Sequence, residues 1–541
     1  MAISQPKLRP VAILNLPNEV LLNILDHFED PIIEGGPVHW EVLRWSPIDL
    51  RREYRETIKN VRLVCRVFND LASPMLCPVL RIDINQRSLE RVVNLSKYSP
   101  AVASGVRAIF VGLHCFPVEL ASSLARFTEF RLGQLRDVKN ACERHLADTE
   151  LGSPGINEQD EEEAALYRRA RGNHPMISTS WNDCLQRASN GPNDGEYQDI
   201  LRDGYEAFCH KHREQREMLE SQSFVRTLAS CVARMPNARA LGFYDEDDIF
   251  REFYRDANLF LDNTLLARLM TTPLSWREIE GTKDIHHPTA RILSELPIAI
   301  HEAGTTLCEL SVSLFPCIRD HTLVCREPDS HVSWRKLRAA CQSLRRASFA
   351  DGLTSLPIRY NHIGVEESRH INEYLSALVS SPDLETVWIY GRAFGLNDGR
   401  GDRGEFNLSP TLTGVKWPRI REITITYLGV TQDAVEAFFT GLGDRYVETF
   451  NMGGLELREE EKRKGGSSWT RAFDILRAKL VPQAKEVNYF GCYGGEFGGR
   501  PKPDDYWGWD YERPETPSIV REVEMYLSGA DVENPVQAML A

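Results

Sequence analysis

The sequence predicts an α/β protein in which an N-terminal helical unit precedes an irregular solenoid of strand–helix repeats with a helical insertion. Three observations predict this arrangement. Apolar residues recur at helical spacing near the N-terminus, and an alternating strand pattern returns eight times between residues 106 and 489. Residues 117–223 interrupt that series with long amphipathic segments. With 541 residues, the chain has room for a large core and several structural units.

Two short apolar segments make up the N-terminal helical unit. Pro17 suits the first turn of a helix, where its missing N–H costs nothing, and Glu19 then faces the positive end of the helix dipole. Apolar residues follow at helical spacing in both segments: Val20, Leu21, Ile24, Leu25 and Phe28, then Val61, Val64, Cys65, Phe68 and Leu71. Two short helices this apolar cannot bury every such side chain against each other, so some apolar surface is left for a partner.

The motif L-P-x-E-V-L-x-x-I-L-x-x-F, followed by L-V-C-x-x-F, resembles the F-box and lies within residues 12–78. The resemblance implies a binding module that docks on the adaptor Skp1, and through it on the cullin and RING subunits of an SCF-type ubiquitin ligase. It assigns Skp1 contact to the following residues: Leu16, Pro17, Glu19, Val20, Ile24, Leu25, Phe28, Leu63, Val64, Cys65 and Phe68.

Two features depart from the F-box pattern. Residues 31–57 separate two halves that the family usually joins closely, and the closing aromatic residue is Phe68 where Trp is commoner. The insertion affects the expected middle of the interface more than its ends. From residue spacing alone, the alternative is an ordinary amphipathic helical hairpin packed on its own domain.

The recurring strand pattern reads apolar-x-x-apolar-x-apolar and follows an alternating strand at residues 79–84. It begins at Val106, Ala238, Leu307, Leu344, Leu384, Ile420, Val447 and Ala484. The last six begin about 27 to 40 residues apart, within or slightly above the range of leucine-rich repeats. Most follow an amphipathic helix, and one strand–helix pair cannot bury its apolar side alone. The region resembles the leucine-rich-repeat class of F-box proteins, although the repeat Asn is mostly absent. The alternative is an ordinary α/β domain with buried parallel strands.

These patterns divide the chain into five parts. The predicted parts are an F-box at 12–78 with an insertion at about 31–57, first repeats at 79–116, a helical insertion at 117–223, further repeats at 224–490, and a glycine- and aromatic-rich cap and tail at 491–541. Glycines permit sharp turns, and aromatic side chains supply contact area at low entropic cost. We therefore expect the C-terminal part to cover the open end of the last repeat, in preference to contacting a ligand.

Composition excludes several classes of protein. A hydrophobic content of 42% and a charged content of 26% are those of a soluble globular protein. The net charge of −14 argues against general affinity for nucleic acid or anionic membrane, and no apolar run is long enough to cross a bilayer. The twelve cysteines are scattered without a C-x-x-C pair, which favours reduced thiols in the cytoplasm or nucleus.

No cluster of residues predicts a catalytic or metal site, so we expect no cofactor. The glycines at 494–499 lack the lysine of a phosphate loop. Cys209, His210 and His212 have no second ligand cluster, which favours a solvated helix face over zinc. His286 and His287 precede a proline and are predicted to lie in a loop.

The resemblance to F-box proteins implies a substrate receptor, and the lack of a catalytic cluster in the sequence predicts that this role is non-catalytic. Alternation along the strands places aromatic side chains on the face opposite the core, where exposed Trp and Tyr suit protein recognition. The candidate substrate-binding residues are Tyr244, Trp388, Tyr390, Phe490, Trp507 and Trp509, with the polar neighbours Glu309, Ser311, Ser348, Thr424, Thr426 and Asn488. Two alternatives stay open at this point: a non-degradative Skp1-bound scaffold, and an enzyme with its site in the C-terminal segment.

Overall fold

The computed structural model is a mixed α/β protein built on a parallel sheet. It describes residues 13, 16–26, 48–151, 158–186, 195–245, 253, 256–280, 285–313, 315–316, 320–325, 333–349, 365–391, 407–426, 428–442, 447–458, 468–481, 484–497 and 518–538. None of the helices within these ranges has the length and apolar character needed to cross a membrane.

Helices occupy much of the described chain. In order they are α1 (Asn18–Asp26), α2 (Ile48–Arg62), α3 (Arg66–Ala72), α4 (Gln86–Tyr98), α5 (Pro100–Ala103), α6 (Val118–Ala121), α7 (Leu124–Glu150), α8 (Glu158–Ala170), α9 (Asn173–Gln186), α10 (Glu196–Glu220), α11 (Ser223–Val232), α12 (Asn263–Met270), α13 (Trp276–Glu280), α14 (Ile292–Glu302), α15 (His321–Val324), α16 (Trp334–Ala340), α17 (Val365–Leu378), α18 (Ser409–Gly414), α19 (Gln432–Gly441), α20 (Thr470–Leu480), α21 (Ser518–Leu527) and α22 (Pro535–Ala538). Short 3₁₀ helices lie at Ser73–Leu76, Ala257–Phe260, Pro288–Arg291 and Gly495–Phe497.

The strands form two parallel sheets. They are β1 (Val79–Asp83), β2 (Ala108–Gly112), β3 (Ala240–Tyr244), β4 (Glu309–Val312), β5 (Arg346–Phe349), β6 (Thr386–Tyr390), β7 (Glu422–Thr426), β8 (Gly429–Thr431), β9 (Thr449–Gly453), β10 (Leu455–Arg458), β11 (Glu486–Tyr489) and β12 (Cys492–Tyr493). The main sheet has nine strands in the order β1-β2-β3-β4-β5-β6-β7-β9-β11, and the second has the order β12-β10-β8. Each strand of the main sheet therefore pairs with the next one along the chain.

Register in the main sheet follows the apolar pattern of the sequence. One row of paired residues runs Leu80, Ile109, Leu241, Leu310, Ala347, Val387, Ile423, Phe450 and Val487, and a second runs Ile82, Val111, Phe243, Val312, Phe349, Ile389, Ile425, Met452 and Tyr489. Both rows are buried, because side chains two apart on a strand share one face. The prediction that these positions face the core is confirmed.

A single layer of helices covers that apolar face. From α4 through α11, α14, α16, α17, α18 and α19 to α20, each helix packs against the next in the series. The largest hydrophobic core lies between this layer and the two buried rows. Strand, helix and strand thus alternate along much of the chain, and each pair covers part of its neighbour's apolar surface.

The second sheet arises because the chain bends sharply after three strands of the main sheet and then forms a further strand each time. β8, β10 and β12 each begin within a few residues of the end of β7, β9 and β11. Gly454 and Gly491 stand at two of these corners with φ of 63° and 90°, a left-handed conformation that glycine adopts at least cost. The Gly454 amide donates to the Gly491 carbonyl at 2.6 Å, which joins the two corners. The sequence pattern did not predict this second sheet.

The helical insertion has its own core and is larger than predicted. Residues from α6 to α10 bury side chains such as Phe127, Trp181 and Phe208 in a second cluster. Most of the buried apolar residues described between Phe253 and Ile285, which the sequence pattern assigned to the repeats, pack into this same cluster, whereas Trp276 belongs to the main core. The predicted boundary between residues 223 and 224 therefore does not coincide with the end of the helical core.

A buried arginine connects α7 to the segment after α12. The Arg131 guanidinium donates to Gln134 Oε1 at 2.7 Å and to the carbonyls of Met270 and Thr272 at 3.2 and 2.8 Å. Gln134 in turn donates to Glu278 Oε1 at 2.6 Å. Burial lowers the pKa of Arg131 to about 10, so the group is still a cation near neutral pH. Removing one member of such a buried network typically costs about 3–5 kcal/mol.

The described part of the C-terminus, at residues 518–538, covers the last strand–helix pair. Val523, Leu527 and Val536 are buried in the main core. Arg477 of α20 lies 4.3 Å from the centre of the Tyr526 ring and donates to the Tyr526 carbonyl at 2.6 Å. This contact closes the apolar end of the repeats. Trp507 and Trp509, the other aromatic residues predicted here, lie outside the described residues.

The N-terminal helices have a small core of their own. Leu25, Ile58 and Ala72 are its buried residues. Because α2 already begins at Ile48, the last residues of the predicted insertion at 31–57 are helical. A turn at 63–65 separates α2 from α3, so the second apolar segment is two helices and not one.

Backbone contact joins these helices to the sheet. Gly105, just after α5, packs against Pro74, and a Cβ placed on Gly105 would lie 1.7 Å from the Pro74 carbonyl oxygen. The Pro78 carbonyl accepts from the amides of Arg107 and Ala108 at 2.8 and 3.2 Å, immediately before β2. The junction therefore depends on the absence of a side chain at residue 105.

Gly105→Ala should destabilise the protein by about 1–3 kcal/mol, because backbone atoms must move to admit the methyl group. Gly133→Ala is the matched control, since a Cβ on Gly133 in α7 meets nothing within 4 Å. Replacing a helical glycine by alanine there should stabilise by about 0.5–1 kcal/mol. Urea unfolding of both variants measures the difference, and equal stabilities would contradict the close contact at Gly105.

Candidate functional site

Helix α1 presents apolar side chains on both of its sides. The Pro17 carbonyl accepts from the amides of Val20 and Leu21 at 3.0 and 3.1 Å, so Pro17 immediately precedes the helix and does not form its first turn. Leu21 and Leu25 are buried, one turn apart. Val20 and Ile24, also one turn apart, stay 40% and 38% exposed.

The turn between α2 and α3 is the most exposed apolar segment of this unit. Leu63 and Val64 are 83% and 67% exposed, and Val67 on the first turn of α3 is 43% exposed. Their backbone is ordered by bonds from the Leu63 amide to the Asn60 carbonyl and from the Val64 amide to the Val61 carbonyl, both 3.1 Å. The turn therefore holds two large apolar side chains in solvent on a hydrogen-bonded backbone.

We define the docking surface as Val20, Ile24, Leu63, Val64 and Val67. Moving one such side chain from full exposure to full burial contributes about 1.5–3 kcal/mol, and the free chain lacks the share of this that belongs to the area still in solvent. Single exposed apolar residues are normal on any protein, whereas several in one small unit make this surface a candidate interaction site. The exposed side chains contribute little to the small core beneath them, because Leu25, Ile58 and Ala72 fill it.

The predicted contact residues divide into two groups. Pro17, Glu19, Val20, Ile24, Leu63 and Val64 are exposed, and Leu16 and Cys65 are partly exposed. Leu25 and Phe68 are buried, 2% and 9% exposed, so their assignment to a partner contact is wrong for this conformation: they pack inside the unit. Phe28 lies outside the described residues. Sequence reasoning missed Val67, although it stands three residues after Val64.

The outer face of the main sheet carries a second set of predicted residues. Tyr244 is buried there, with its ring centre 5.6 Å from that of Phe110, so the expectation of an exposed tyrosine is wrong. Trp388 and Tyr390 are half-buried, and Phe490 is 36% exposed. The aromatic residues that solvent reaches therefore lie on β6 and after β11.

Polar side chains link the strands on this outer face. Asn488 donates to Asn451 Oδ1 at 2.8 Å, and Asn451 donates to Thr424 Oγ1 at 3.0 Å. Beside them, Trp388 donates its indole N–H to Glu422 Oε1 at 2.9 Å. The chain of bonds fixes the side chains of three neighbouring strands.

Several of the predicted polar neighbours are less accessible than expected. Ser311, Ser348, Thr424 and Thr426 are buried, whereas Glu309 and Asn488 are half-buried. Small side chains on a sheet are shielded by larger neighbours on adjacent strands, which explains the difference. The hydroxyls of Ser348 and Thr426 are buried without a hydrogen-bond partner among the described residues.

A carboxylate organises the two adjacent histidines. Asp320 accepts from the His287 amide at 2.6 Å, and its two oxygens lie 2.8 and 2.9 Å from Nδ1 of His286 and His287. Burial acts to raise the pKa of Asp320, but hydrogen bonds from both histidines outweigh it, so this pKa lies below its ordinary value. His287 also packs edge-on against the Trp276 ring.

The Cys209–His212 segment lies at a helix interface, so the expectation of a solvated face is wrong for three of its four residues. The Cys209 thiol donates to the Ala121 carbonyl at 3.2 Å, Lys211 donates to the Thr271 carbonyl at 2.8 Å, and His212 Nδ1 lies 2.6 Å from the Phe116 carbonyl. His210 is the exposed residue. Within the described ranges, no group of three or more His, Cys, Asp or Glu side chains is placed to hold a metal ion.

The chain matches no protein-family model, no curated protein and no solved structure.

Asp320→Asn should lower the free energy of unfolding by about 2 kcal/mol near pH 7, because a buried hydrogen-bonded carboxylate is lost. Because the pKa of Asp320 is lower in the folded protein than in the unfolded chain, its ionised form stabilises the fold at pH values above the unfolded-state pKa of about 3.9. This contribution disappears as the pH falls through the folded-state pKa. The difference between variant and wild type should therefore shrink below about pH 4. Urea unfolding across this range measures it. Asp203→Asn, at an exposed position on α10, is the control and should show little difference at any pH.

Proposed function

We propose that this chain is the substrate-recognition subunit of an SCF-type ubiquitin ligase. Residues 12–78 would act as an F-box that docks on Skp1, and through it on the cullin and RING subunits. The strand–helix region would act as an irregular leucine-rich-repeat-like solenoid that binds a target protein. The observation that carries the proposal is the exposure of Val64, Leu63, Val20 and Ile24 in the segments that match the motif.

The division between inner and outer side chains supports docking. Leu25, Phe68 and Ala72 are buried inside the N-terminal unit, so the unit keeps a core while the docking surface stays in solvent. If α1 served only as an ordinary amphipathic helix, Val20 and Ile24 would be expected to pack against the chain's own core. Burying three such side chains against a partner would contribute at most about 4.5–9 kcal/mol before the costs of association, the figure for three fully exposed side chains.

The topology supports a repeat architecture for the target-binding region. Neighbouring strands of the main sheet follow each other in chain order, all are parallel, and a layer of successive helices covers one face. Stacked repeats produce this order, because each unit contacts chiefly the units before and after it. Such an array leaves the opposite face of the sheet available to a partner.

In this proposal the chain performs no covalent chemistry. It would hold a target beside the ubiquitin-charged enzyme, and the raised effective concentration of a target lysine would accelerate transfer. The compartment would be the cytoplasm or the nucleus. The same Skp1 contact without cullin would instead describe a non-degradative scaffold, so recovery of cullin distinguishes the two.

Val20→Asp combined with Val64→Asp should reduce recovery of Skp1 in a pull-down by about tenfold or more, because a carboxylate cannot be buried unpaired in an apolar contact. Both side chains are exposed, so the melting temperature should change little. The full chain, purified Skp1 and a Skp1–cullin–RING complex are the materials for this measurement.

Leu151→Asp combined with Met176→Asp is the matched control. These residues are 81% and 60% exposed on the helical insertion, against 40% and 67% for Val20 and Val64, so the variant adds the same charge to exposed apolar positions elsewhere. It should bind Skp1 as the wild type does. Failure of the wild-type chain to bind Skp1, or an equal loss in the two variants, would reject docking through this surface.

A further inference from the structure

The outer face of the main sheet carries an excess of carboxylates in one row of its register. That row runs Glu309, Arg346, Thr386, Glu422, Thr449 and Glu486 on strands β4 to β7, β9 and β11. Arg346 stands directly opposite Glu309, so these two charges offset each other across adjacent strands. Glu422 and Glu486 are left as two carboxylates on the same row.

The nearest cations along the chain are already paired elsewhere. Lys485 Nζ lies 2.5 Å from Glu448 Oε2, and Arg421 lies 3.9 Å from Glu448 Oε1. Within the part of the chain that the structure describes, neither Glu422 nor Glu486 takes part in an ion pair. Glu486 accepts from the Asn488 amide at 2.9 Å, and Glu422 accepts from the Trp388 indole. Both carboxylates keep their negative charge available to a partner.

An aromatic ring lies beside one of these carboxylates. Trp388 is half-buried, and its indole N–H is held 2.9 Å from Glu422 Oε1. A tryptophan face attracts a lysine or arginine cation through the ring quadrupole, by about 0.5–2 kcal/mol. The indole and the carboxylate at its edge thus attract the same kind of group.

Two buried hydroxyls on this face also lack hydrogen-bond partners within the described ranges. Ser348 stands beside Trp388 in the register, and Thr426 stands beside Tyr390. They are 6% and 5% exposed, and the oxygen of each is buried with no hydrogen bond to the part of the chain that the structure describes. Both alternate with core-facing residues, so they point to the outer face. An unsatisfied buried hydroxyl costs about 1–3 kcal/mol, which hydrogen bonds to a bound main chain would recover.

We infer that Trp388, Glu422 and Glu486 bind a basic segment of a partner protein, with Ser348 and Thr426 beside them. The inference rests on the proposed function in one respect, namely that the partner is a target of the ligase. Glu422 and Glu486 are two strands apart, about 9.6 Å. In a polyproline II segment, residues three apart lie on one side about 9.3 Å apart. The preferred segment is therefore extended and carries two arginines or lysines in the spacing R-x-x-R.

Fluorescence anisotropy with three labelled peptides tests the site on the full-length chain. The peptide PRPPRP has the matching spacing, PRRPPP has the same charge with adjacent arginines, and PEPPEP reverses the charge. PRPPRP should bind about tenfold more tightly than PRRPPP, because only one PRRPPP arginine at a time reaches a carboxylate. PEPPEP should not bind. Equal affinity for the two basic peptides would overturn the inference, since net charge alone would then explain binding.

Isosteric variants separate this site from general acidity. Glu422→Gln combined with Glu486→Gln should weaken PRPPRP binding by about tenfold, whereas Glu217→Gln with Glu220→Gln, which removes two exposed charges from α10, should change it less than about twofold. Trp388→Phe should retain part of the affinity. Equal losses in the two double variants would overturn the inference.

The Skp1 measurement keeps the two proposals distinguishable. The Glu422→Gln, Glu486→Gln variant should bind Skp1 normally, and the Val20→Asp, Val64→Asp variant should bind PRPPRP normally. A wild-type chain that binds Skp1 but shows no preference for PRPPRP would overturn the inference alone. A chain that prefers PRPPRP but does not bind Skp1 would overturn the proposed function alone.

Discussion

Two rows of apolar side chains, held in register across nine parallel strands, are the constraint on which the rest of the structure depends. Because the period along a strand is two, a shift of one residue in any strand would turn its apolar residues away from the helices. The helical layer, the position of the helical insertion and the cap at the last strand all follow from this register. The outer face is likewise fixed, since its residues are the alternate members of the same strands.

Several contacts tie the helical insertion to this sheet, and one buried amide is among them. Gln215 of α10 donates to the carbonyls of Ile84 and His114 and accepts from the Phe116 amide, which places α10 across the segments that follow β1 and β2. Otherwise the insertion builds a core of its own. The chain thus adds a large helical body to the carboxyl ends of its first strands without disturbing their pairing.

Sequence reasoning reached the buried rows because strand alternation is a local property. For example, Val387 and Ile389 of the pattern that begins at Leu384 are the residues of β6 that lie in the two buried rows. It also predicted α7 and α10 from their apolar spacing. It did not predict the second sheet, because β8 and β12 are short, and because β10 and β12 follow glycine corners at Gly454 and Gly491. It also placed Phe253–Ile285 with the repeats, since the contacts of this segment with the helical core are distant in sequence.

For the candidate surfaces, the sequence indicated which types of residue are present better than it indicated which side chains are exposed. Helical spacing does not distinguish Val20 from Leu21, because neighbouring positions differ in burial only after the helix packs. The same limit applies to Leu25 and Phe68, which belong to the motif but lie inside. On the sheet, the burial of Tyr244 follows from its contact with Phe110, a residue far away along the chain. Such contacts are set by tertiary packing, which periodicity does not encode.

The contact between Gly105 and Pro74 has a geometric consequence. Main-chain atoms touch there, and the chain runs from α3 into β1 through only a short 3₁₀ helix, so no flexible linker separates the N-terminal unit from the sheet. Under the proposed function, the structure of this chain would then fix the distance between the ligase and the target. Target lysines would be selected for ubiquitin transfer by their distance from the sheet and not by the residues around them.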